Sequence, residues 1–440
     1  MDCMKNKDAM TKKKAEKPAK EHKKNWREYM ATVEDIEWFL SNHVVLRNNV
    51  VTGRVECRIP ESDVFADWKA DGLPTDQWLP ISDRIVNTLW RALSKTKQVS
   101  VQDIYRIIDS DFSPDYHPFR FYLEHLPPWN GEDHVLAMSV SVSVKGEVEE
   151  QLLFAQYLKK WLVGMVAGWI DPLVVNNVIL VLIGEQGSYK TTWFNYLLPP
   201  ELRQYFYTKT NSARMGKDDL LTLAQYGLVC CEELDTMRAA ELNQLKAAVT
   251  MPSIDERAAY AHYHEHRNHI ASFCGTGNNM QFLSDPTGNR RWLPFEVTSI
   301  DSPRDHPFDY ENIYSQAYAL YRQGFQFWFS KAEIDRLAVH NRQFETPRLE
   351  QELVDVYFRV PVGVEAGEFM PVSRALQIVG GTMIHQLSAV RLGQAFTNLG
   401  FTFRRTNTTR GYIVVQRSAE EIKSRLRSMA DGNSTVTGDG

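Results

Sequence analysis

The central third of the sequence alternates between apolar runs of strand length and amphipathic stretches, a pattern typical of a layered α/β domain. Gln151–Ile170 has helical periodicity, and the following run Val178–Ile183 is apolar at every position. A strand without polar positions is expected where helices cover both faces of a parallel sheet. Tyr226–Cys231 and His269–Gly275 are two further, mostly apolar runs of strand length. We therefore predict an α/β core built on a parallel sheet flanked by helices.

The segments on either side of this core have different patterns. Before it, helical periods near Asp83–Leu93 and Ser100–Ile108 and two strands around Thr52-Gly53 predict a mainly helical α+β region. Near the end, the helical stretches Pro371–Val379 and Leu387–Leu399 lead into a basic β-ribbon, Phe401–Gln416. Two helices followed by a ribbon predict a winged-helix-like domain.

These patterns divide the chain into six segments. We predict a basic disordered tail (1–27), an N-terminal α+β region (28–150), the α/β core (151–300), a helical segment (301–358), a winged-helix-like domain (359–428) and a flexible tail (429–440).

A glycine-rich turn directly follows the first apolar strand. It runs Gly184-Glu-Gln-Gly187-Ser188-Tyr189-Lys190-Thr191-Thr192 and leads into a helical stretch. Strand, glycine-rich turn, Lys-Thr and helix form the context of a P-loop, in which a helix N-terminus and backbone N–H groups bind phosphate. Lys190 is expected to reach the β- and γ-phosphates of ATP, and the Thr191 hydroxyl to ligate Mg²⁺. Gly184, Gly187, Ser188 and Thr192 complete the predicted nucleotide-binding loop.

One residue of this loop departs from the usual pattern. Tyr189 stands where a P-loop has glycine before the lysine. A positive φ there costs tyrosine more than glycine, so the departure bears on the rate of hydrolysis more than on nucleotide binding. A glycine turn without any ligand is the alternative interpretation.

Two carboxylates follow the second apolar strand. Glu232 lies 42 residues after Lys190, and Glu233 is next to it. A P-loop enzyme needs one carboxylate to hold the Mg²⁺ shell and another to polarise the attacking water. We assign the first role to Glu232 and the second to Glu233.

The third apolar strand and the turn after it supply further polar groups. Asn278 follows that strand, where an amide can contact the γ-phosphate or orient water. The alternative is a turn-forming Asn-Asn pair. Arg290 and Arg291 lie beside a rigid turn and are candidates for an arginine that reaches the site of a neighbouring subunit; otherwise they pair with surface carboxylates.

Charge is distributed unevenly along the 440 residues. Met1–Arg27 holds nine Lys and one Arg against two Asp and two Glu, a net charge of +6 in a chain whose total is −5. The tail is expected to be solvated and to neutralise nucleic-acid phosphates. No apolar run reaches the ~18 residues of a membrane span. We therefore expect no membrane contact. The five cysteines are an odd number without CxxC spacing, which argues against a disulfide framework, and we expect a cytoplasmic protein.

Two further groups of residues are candidates for nucleic-acid contact. Lys246 and Arg257 can touch phosphates and Tyr260 can stack on a base, or this stretch is only a helix face and a packed hairpin. In the winged-helix-like domain, Arg391 lies on the second helix, and Arg404 and Arg405 lie at the ribbon. The alternative for that domain is protein contact.

The order of these motifs resembles the superfamily 3 helicases, and more closely the virulence-associated protein E family of mobile-element primase–helicase ATPases. The resemblance spans roughly Val33–Gln416 and departs at Tyr189. It is carried by Tyr116–Glu124, Pro127–Gly131, Gly184–Thr191, Glu232-Glu233-Leu234, Asp255–Tyr260, Thr276–Asn278, Phe282-Leu283 and Thr287–Arg291.

The resemblance implies an ATPase that needs ATP and Mg²⁺, acts on single-stranded or forked DNA during replication of a phage or mobile element, and assembles as a hexameric ring. Family members often carry a primase module, for which residues 1–183 leave little room, so a separate primase is an expected partner. Two alternatives stay open: a non-translocating ATP-dependent switch that binds DNA or a partner, and a degenerate P-loop scaffold favoured only by Tyr189.

Overall fold

The computed structural model describes eleven stretches of the chain. They are residues 29–60, 62–66, 68, 77–209, 217–256, 265–283, 289–346, 349–363, 365–381, 387–406 and 409–433. The predicted basic tail (1–27) lies outside these residues, as does most of the predicted C-terminal tail.

The described part of the N-terminal region combines three α-helices with a small sheet. Its elements are α1 (Val33–His43), β1 (Val45–Asn49), β2 (Arg54–Arg58), β3 (Leu79–Pro80), α2 (Asp83–Leu93), α3 (Val101–Ile108) and β4 (Asp115–Tyr116), with strand order β3-β2-β1-β4. Thr32 begins α1 with a capping box, because its hydroxyl accepts from Asp35 N and its N–H donates to the Asp35 carboxylate. The predicted strand pair around Thr52-Gly53 is confirmed, and Gly53 supplies the positive φ (65°) of the turn.

A six-stranded sheet forms the centre of the molecule. Its strands are β5 (Val142–Val144), β6 (Ile179–Ile183), β7 (Phe206–Lys209), β8 (Leu228–Cys231), β11 (Ser272–Gly277) and β12 (Trp292–Ile300), in the order β5-β12-β6-β11-β8-β7. The five strands from β12 to β7 are parallel, and β5 pairs antiparallel with β12 at the edge. The predicted α/β class is confirmed, although the sheet is mixed rather than wholly parallel.

Helices cover both faces of this sheet. They are α4 (Pro118–Glu124), α5 (His134–Ser139), α6 (Val148–Ile170), α7 (Lys190–Leu197), α8 (Lys217–Gln225), α9 (Ala239–Val249), α10 (Tyr310–Arg322) and α11 (Lys331–Asn341). Alternate residues of β6 enter two different apolar clusters, Leu180 on the side of α6 and Val181 on the other. The indole N–H groups of Trp161 and Trp169 on α6 donate to backbone carbonyls of the sheet layer, which fixes α6 across it.

Packing does not follow the predicted segment boundaries at residues 150 and 301. Phe119 and Val135, before the first boundary, lie in the same apolar core as α6, and so do Tyr314 and Leu337 after the second. The apolar face of the sheet needs more cover than residues 151–300 supply, and elements from both sides provide it. Sequence periodicity locates such helices but not the sheet on which they pack.

A two-stranded hairpin, β9 (Ser253–Glu256) with β10 (Glu265–Asn268), stands apart from the sheet. The C-terminal domain has its own apolar core and contains α12 (Leu349–Tyr357), β13 (Phe358–Arg359), β14 (Glu368–Pro371), α13 (Val372–Gly380), α14 (Ala389–Asn398), β15 (Thr402–Arg405), β16 (Arg410–Gln416) and α15 (Ala419–Asn433). The predicted order of helix, helix and β-ribbon is therefore found in α13, α14 and the pair β15–β16. No helix in the described stretches is long and apolar enough to span a membrane.

Candidate functional site

A cleft of about 410 Å³ opens where β6, β8 and β11 end. Because these strands are parallel, their carboxyl ends meet at one edge of the sheet, the place where α/β proteins bind ligands. The cleft brings together most of the residues singled out in the sequence. Its lining consists of Gln186, Gly187, Ser188, Tyr189, Lys190, Thr191, Thr192, Glu232, Glu233, Thr276, Gly277 and Asn278.

The loop from β6 to α7 is shaped by two glycines. Gly184 donates its N–H to Gly277 O, and a Cβ added at Gly184 would lie 2.7 Å from Val297 O, so no larger residue can pass so close to β12. Gly187 has a φ of 83°, which lets the chain reverse before α7 begins at Lys190. The free N–H groups of the first turn of α7 therefore face the cleft.

Lys190 is folded back into this loop. Its side chain is buried, and Nζ donates to Gly184 O at 2.8 Å, to Glu185 O at 2.6 Å and to Ser188 Oγ at 3.2 Å. Burial lowers the pKa of Lys190, and the nearby Asp235 carboxylate acts in the opposite direction. All three ammonium donors thus have oxygen partners, which a bound anion would have to replace.

Two residues at the cleft have strained backbones. Tyr189 has a φ of 60° and Glu233 a φ of 54°, the only positive values among the described non-glycine residues. The positive φ considered for Tyr189 from its place in the loop is present, and its side chain is 48% exposed. Strained conformations of this kind concentrate at functional sites, since the surrounding fold has to hold them.

Thr191 and Glu232 form a direct contact across the cleft. The Thr191 hydroxyl donates to Glu232 Oε1 at 2.8 Å, joining the first turn of α7 to the end of β8. A hydroxyl and a carboxylate are the hard oxygen ligands that Mg²⁺ takes from proteins, with water and phosphate oxygens completing its shell. In the described stretches no group of three Asp, Glu, His or Cys side chains could hold a metal ion.

Asp235 is a residue of this site to which the sequence analysis gave no role. Its Oδ2 accepts from Asn279 N at 3.1 Å, which ties the loop after β8 to the end of β11. Its Oδ1 is buried without a hydrogen-bond partner, and a Cβ at Gly277 would lie only 3.1 Å from it. The signal in the sequence was a third carboxylate in the run Glu232-Glu233-Leu234-Asp235, which we interpreted as two acids.

Arg290 and Arg291 lie at the opposite edge of the sheet from the cleft. They directly precede β12, which pairs Trp292 with Ile179 at the start of β6. The cleft lies beyond Ile183, four residues further along β6, so roughly 13 Å of strand separates the two places. Among the described residues neither arginine has an ion-pair partner.

The predicted nucleic-acid residues that the structure describes lie in different parts of the fold. Lys246 is 7% exposed on α9, and its Nζ donates to Asn243 Oδ1 at 3.2 Å, a placement that does not favour a phosphate contact. Arg257 and Tyr260 lie outside the described residues. Arg391, Arg404 and Arg405 are exposed on α14 and β15 of the C-terminal domain.

Comparison with known proteins gives one family match and likenesses to solved structures. The model of the virulence-associated protein E-like domain matches residues 123–346. No curated protein matches the sequence. The apo structure of the NrS-1 C-terminal region (305-718) has a TM-score of 0.47 and 11% identity, covering 87% of this chain and 99% of that one.

A second structure of the same region, its A form, has a TM-score of 0.44 and 11% identity, covering 87% of this chain and 100% of that one.

The family match begins in α4 and ends after α11, so it contains the whole central sheet from β5 to β12 and the cleft. It covers more than half of the 440 residues. This protein therefore belongs to the virulence-associated protein E-like family.

Proposed function

We propose that this protein is an ATP-hydrolysing, nucleic-acid-dependent motor of the superfamily 3 helicase type that acts in the replication of a phage or mobile element. The observation that carries the proposal is the Thr191–Glu232 contact of 2.8 Å beside a glycine-rich loop and a helix N-terminus. That contact joins a hydroxyl and a carboxylate suited to Mg²⁺ to a ready anion site.

The loop and Lys190 bind the phosphates in this proposal. The N–H groups at the start of α7 donate to phosphate oxygens, and the helix dipole favours the negative charge. Lys190 exchanges its contacts with Gly184 O, Glu185 O and Ser188 Oγ for oxygens of the β- and γ-phosphates. Because this exchange replaces neutral acceptors by charged ones, the hydrogen bonds of Lys190 become stronger when the nucleotide binds.

Thr191 and Glu232 would hold the Mg²⁺ ion, which would neutralise charge on the phosphates when bound. Glu233 lies next to Glu232 in the cleft, and its side chain is exposed and free to contact the attacking water. Asn278 at the end of β11 lines the same cleft and offers an amide to the γ-phosphate or the water. The positive φ of Glu233 turns the chain away from the extended path of β8 directly after Glu232.

The position of Arg290 and Arg291 supports a ring-shaped homo-oligomer. An arginine at the far edge of the sheet cannot reach the cleft of its own chain, but it can reach the cleft of a neighbouring copy packed head-to-tail. In that position it would neutralise transition-state charge in the neighbour's site. Single-stranded or forked DNA and a separate primase are the other partners that we propose.

ATP turnover measured with and without single-stranded DNA tests the proposal. We expect hydrolysis that rises when DNA is added, as for a motor whose cycle is coupled to the strand. A rate of hydrolysis that does not change when DNA is added would contradict the motor and favour the non-translocating switch. No hydrolysis, with ATP bound, would leave the strained Tyr189 loop as a nucleotide-binding scaffold.

We expect Asp235→Asn to move the alkaline limit of ATP binding to lower pH. Asp235 acts to raise the pKa of Lys190, so removing its charge lets Lys190 lose its proton at a lower pH. A protonated Lys190 is needed for its contacts with phosphate. The measurement is ATP affinity as a function of pH, with the exposed Asp305→Asn as control. An unchanged pH profile in Asp235→Asn would show that Asp235 serves only to hold Asn279.

A further inference from the structure

One stretch of the C-terminal domain carries an excess of positive charge. Residues 368–416 contain five arginines and one glutamate, a net charge of +4 in a chain whose total is −5. The glutamate, Glu368, pairs with Arg374 at 3.4 Å. The other four are exposed, and none has an ion-pair partner among the described residues. They are Arg391, Arg404, Arg405 and Arg410.

The hairpin β15–β16 keeps two of these charges in an unfavourable position. Arg405 and Arg410 are directly opposite each other in the antiparallel register. Like charges in that position destabilise a strand pair, and no described acidic side chain offsets the repulsion. A bound anion would relieve it. The hairpin is thus suited to phosphate groups, which arginine binds with two parallel hydrogen bonds.

The helix α14 presents a polar face to solvent beside this hairpin. Arg391, Gln394 and Asn398 are spaced i, i+3 and i+7, so they share one face, and all three are exposed. None of their side chains has a hydrogen bond to another described residue. The opposite face of α14, with Leu392 and Phe396, is buried in the domain core.

The helix and the hairpin are held together as one body. Phe396 on α14 stacks on Tyr412 of β16, with ring centroids 5.0 Å apart and planes at 15°. The Tyr412 hydroxyl donates to Gly393 O at 2.8 Å and also contacts the Thr397 hydroxyl at 2.8 Å. The polar face of α14 and the arginines of the hairpin therefore keep a fixed relative position.

The three side chains on this face are those that read bases in the major groove of duplex DNA. Arginine bonds bidentately to guanine, and glutamine and asparagine bond bidentately to adenine. The neighbouring Val390 is 73% exposed and can contact a thymine methyl group. Phosphate contacts fix the register of a protein on DNA, while base contacts supply the sequence preference. Both kinds of side chain are present here.

We propose that the C-terminal domain binds duplex DNA with sequence preference, with α14 in the major groove and the β15–β16 arginines on the phosphate backbone. This goes beyond the proposed motor, which needs no base preference, and it uses no residue of the cleft. Such a domain places the protein at a defined sequence.

Selection from short duplexes with a randomised central segment, using the full-length protein, tests this proposal. We expect enrichment of a preferred sequence that contains guanine and adenine at neighbouring positions. Fluorescence anisotropy then compares the selected duplex, a scrambled duplex and the selected single strand. The selected duplex should bind tightest of the three.

Variants separate base reading from phosphate binding. Gln394→Ala and Asn398→Ala should each reduce the preference for the selected over the scrambled duplex by about tenfold, with the affinity for the scrambled duplex unchanged. Arg404→Ala and Arg405→Ala should weaken both duplexes equally and reduce the salt slope by about 0.9 for each lost contact. Arg91→Ala, an exposed arginine on α2, is the charge-matched control and should change neither.

Failure here is distinguishable from failure of the proposed motor. Lys190→Ala should keep the full sequence preference while losing ATP hydrolysis, because the two sites share no residue. No enriched sequence, or equal affinity for selected and scrambled duplexes, would overturn the proposal. A preference that survives both Gln394→Ala and Asn398→Ala would also overturn it, since the bases would then be read elsewhere.

Discussion

Lys190→Ala is expected to abolish ATP hydrolysis, whereas Glu233→Gln is expected to keep ATP binding and lose turnover. Lys190 would contact the phosphates in the ground state and the transition state alike, while Glu233 would act only on the attacking water. Losing a water-activating carboxylate typically costs ~10²–10⁴ in rate. Single-turnover hydrolysis, together with binding of a fluorescent ATP analogue, measures the two effects separately.

A conservative pair of variants provides the control for this experiment. Glu232→Gln should weaken binding of Mg²⁺-ATP, because Glu232 bonds to Thr191 and is the proposed Mg²⁺ ligand. Wild-type hydrolysis by Glu233→Gln would mean that the two acids do not have the roles assigned to them. If Glu232→Gln alone lost turnover with normal Mg²⁺ dependence, the roles would be reversed.

The second large effect that we expect is a loss of ATP turnover when the arginine proposed to act in trans is removed. Arg290→Ala or Arg291→Ala should bind ATP normally and turn over ~10³-fold slower or worse. The expectation rests on geometry, since both residues precede β12 at the edge of the sheet opposite the cleft. Either arginine variant mixed with Lys190→Ala should regain activity, because one variant supplies an intact cleft and the other an intact arginine.

Measuring the mass of the protein in the presence of ATP gives its oligomeric state and completes this test. An active mixture should contain oligomers, and the same variants assayed separately should remain inactive. If mixing restores nothing and the protein stays monomeric in ATP, the ring is excluded. Loss of ATP binding by the arginine variants would instead point to a structural role for the turn that Asn289 and Asn341 hold.

Apolar pattern and loop chemistry predicted the parts of the fold that local sequence controls. The run Val178–Ile183 predicted β6 and the helical period near Asp83–Leu93 predicted α2, because a buried strand and an amphipathic helix depend on neighbouring residues. Strands β5 and β7 were not predicted. They are only three and four residues long, and their pairing with distant strands stabilises them more than their own composition does.

Some residues of the candidate site could likewise be predicted from the sequence, and others could not. Lys190, Thr191, Glu232 and Asn278 follow predicted strands, so their meeting at one edge of the sheet could be anticipated. The role of Asp235 could not, because it depends on the distance between two loops that are 44 residues apart in the chain. Nor could the burial of Lys246, since a lysine on an amphipathic helix usually extends along the surface into water.

The direction of the central sheet has a consequence for any assembly in which Arg291 completes a neighbour's cleft. Each copy would then have the arginine at one edge of its sheet and the cleft at the opposite edge. Copies could therefore be added in only one orientation. Such a series closes only if the rotation per copy divides a full turn, and otherwise grows as a helix. In an open arc the last cleft has no arginine to complete it, so it would hold ATP without hydrolysing it. If a DNA strand enters through the gap in such an arc, the subunit beside the gap would therefore be the one whose ATP is not hydrolysed.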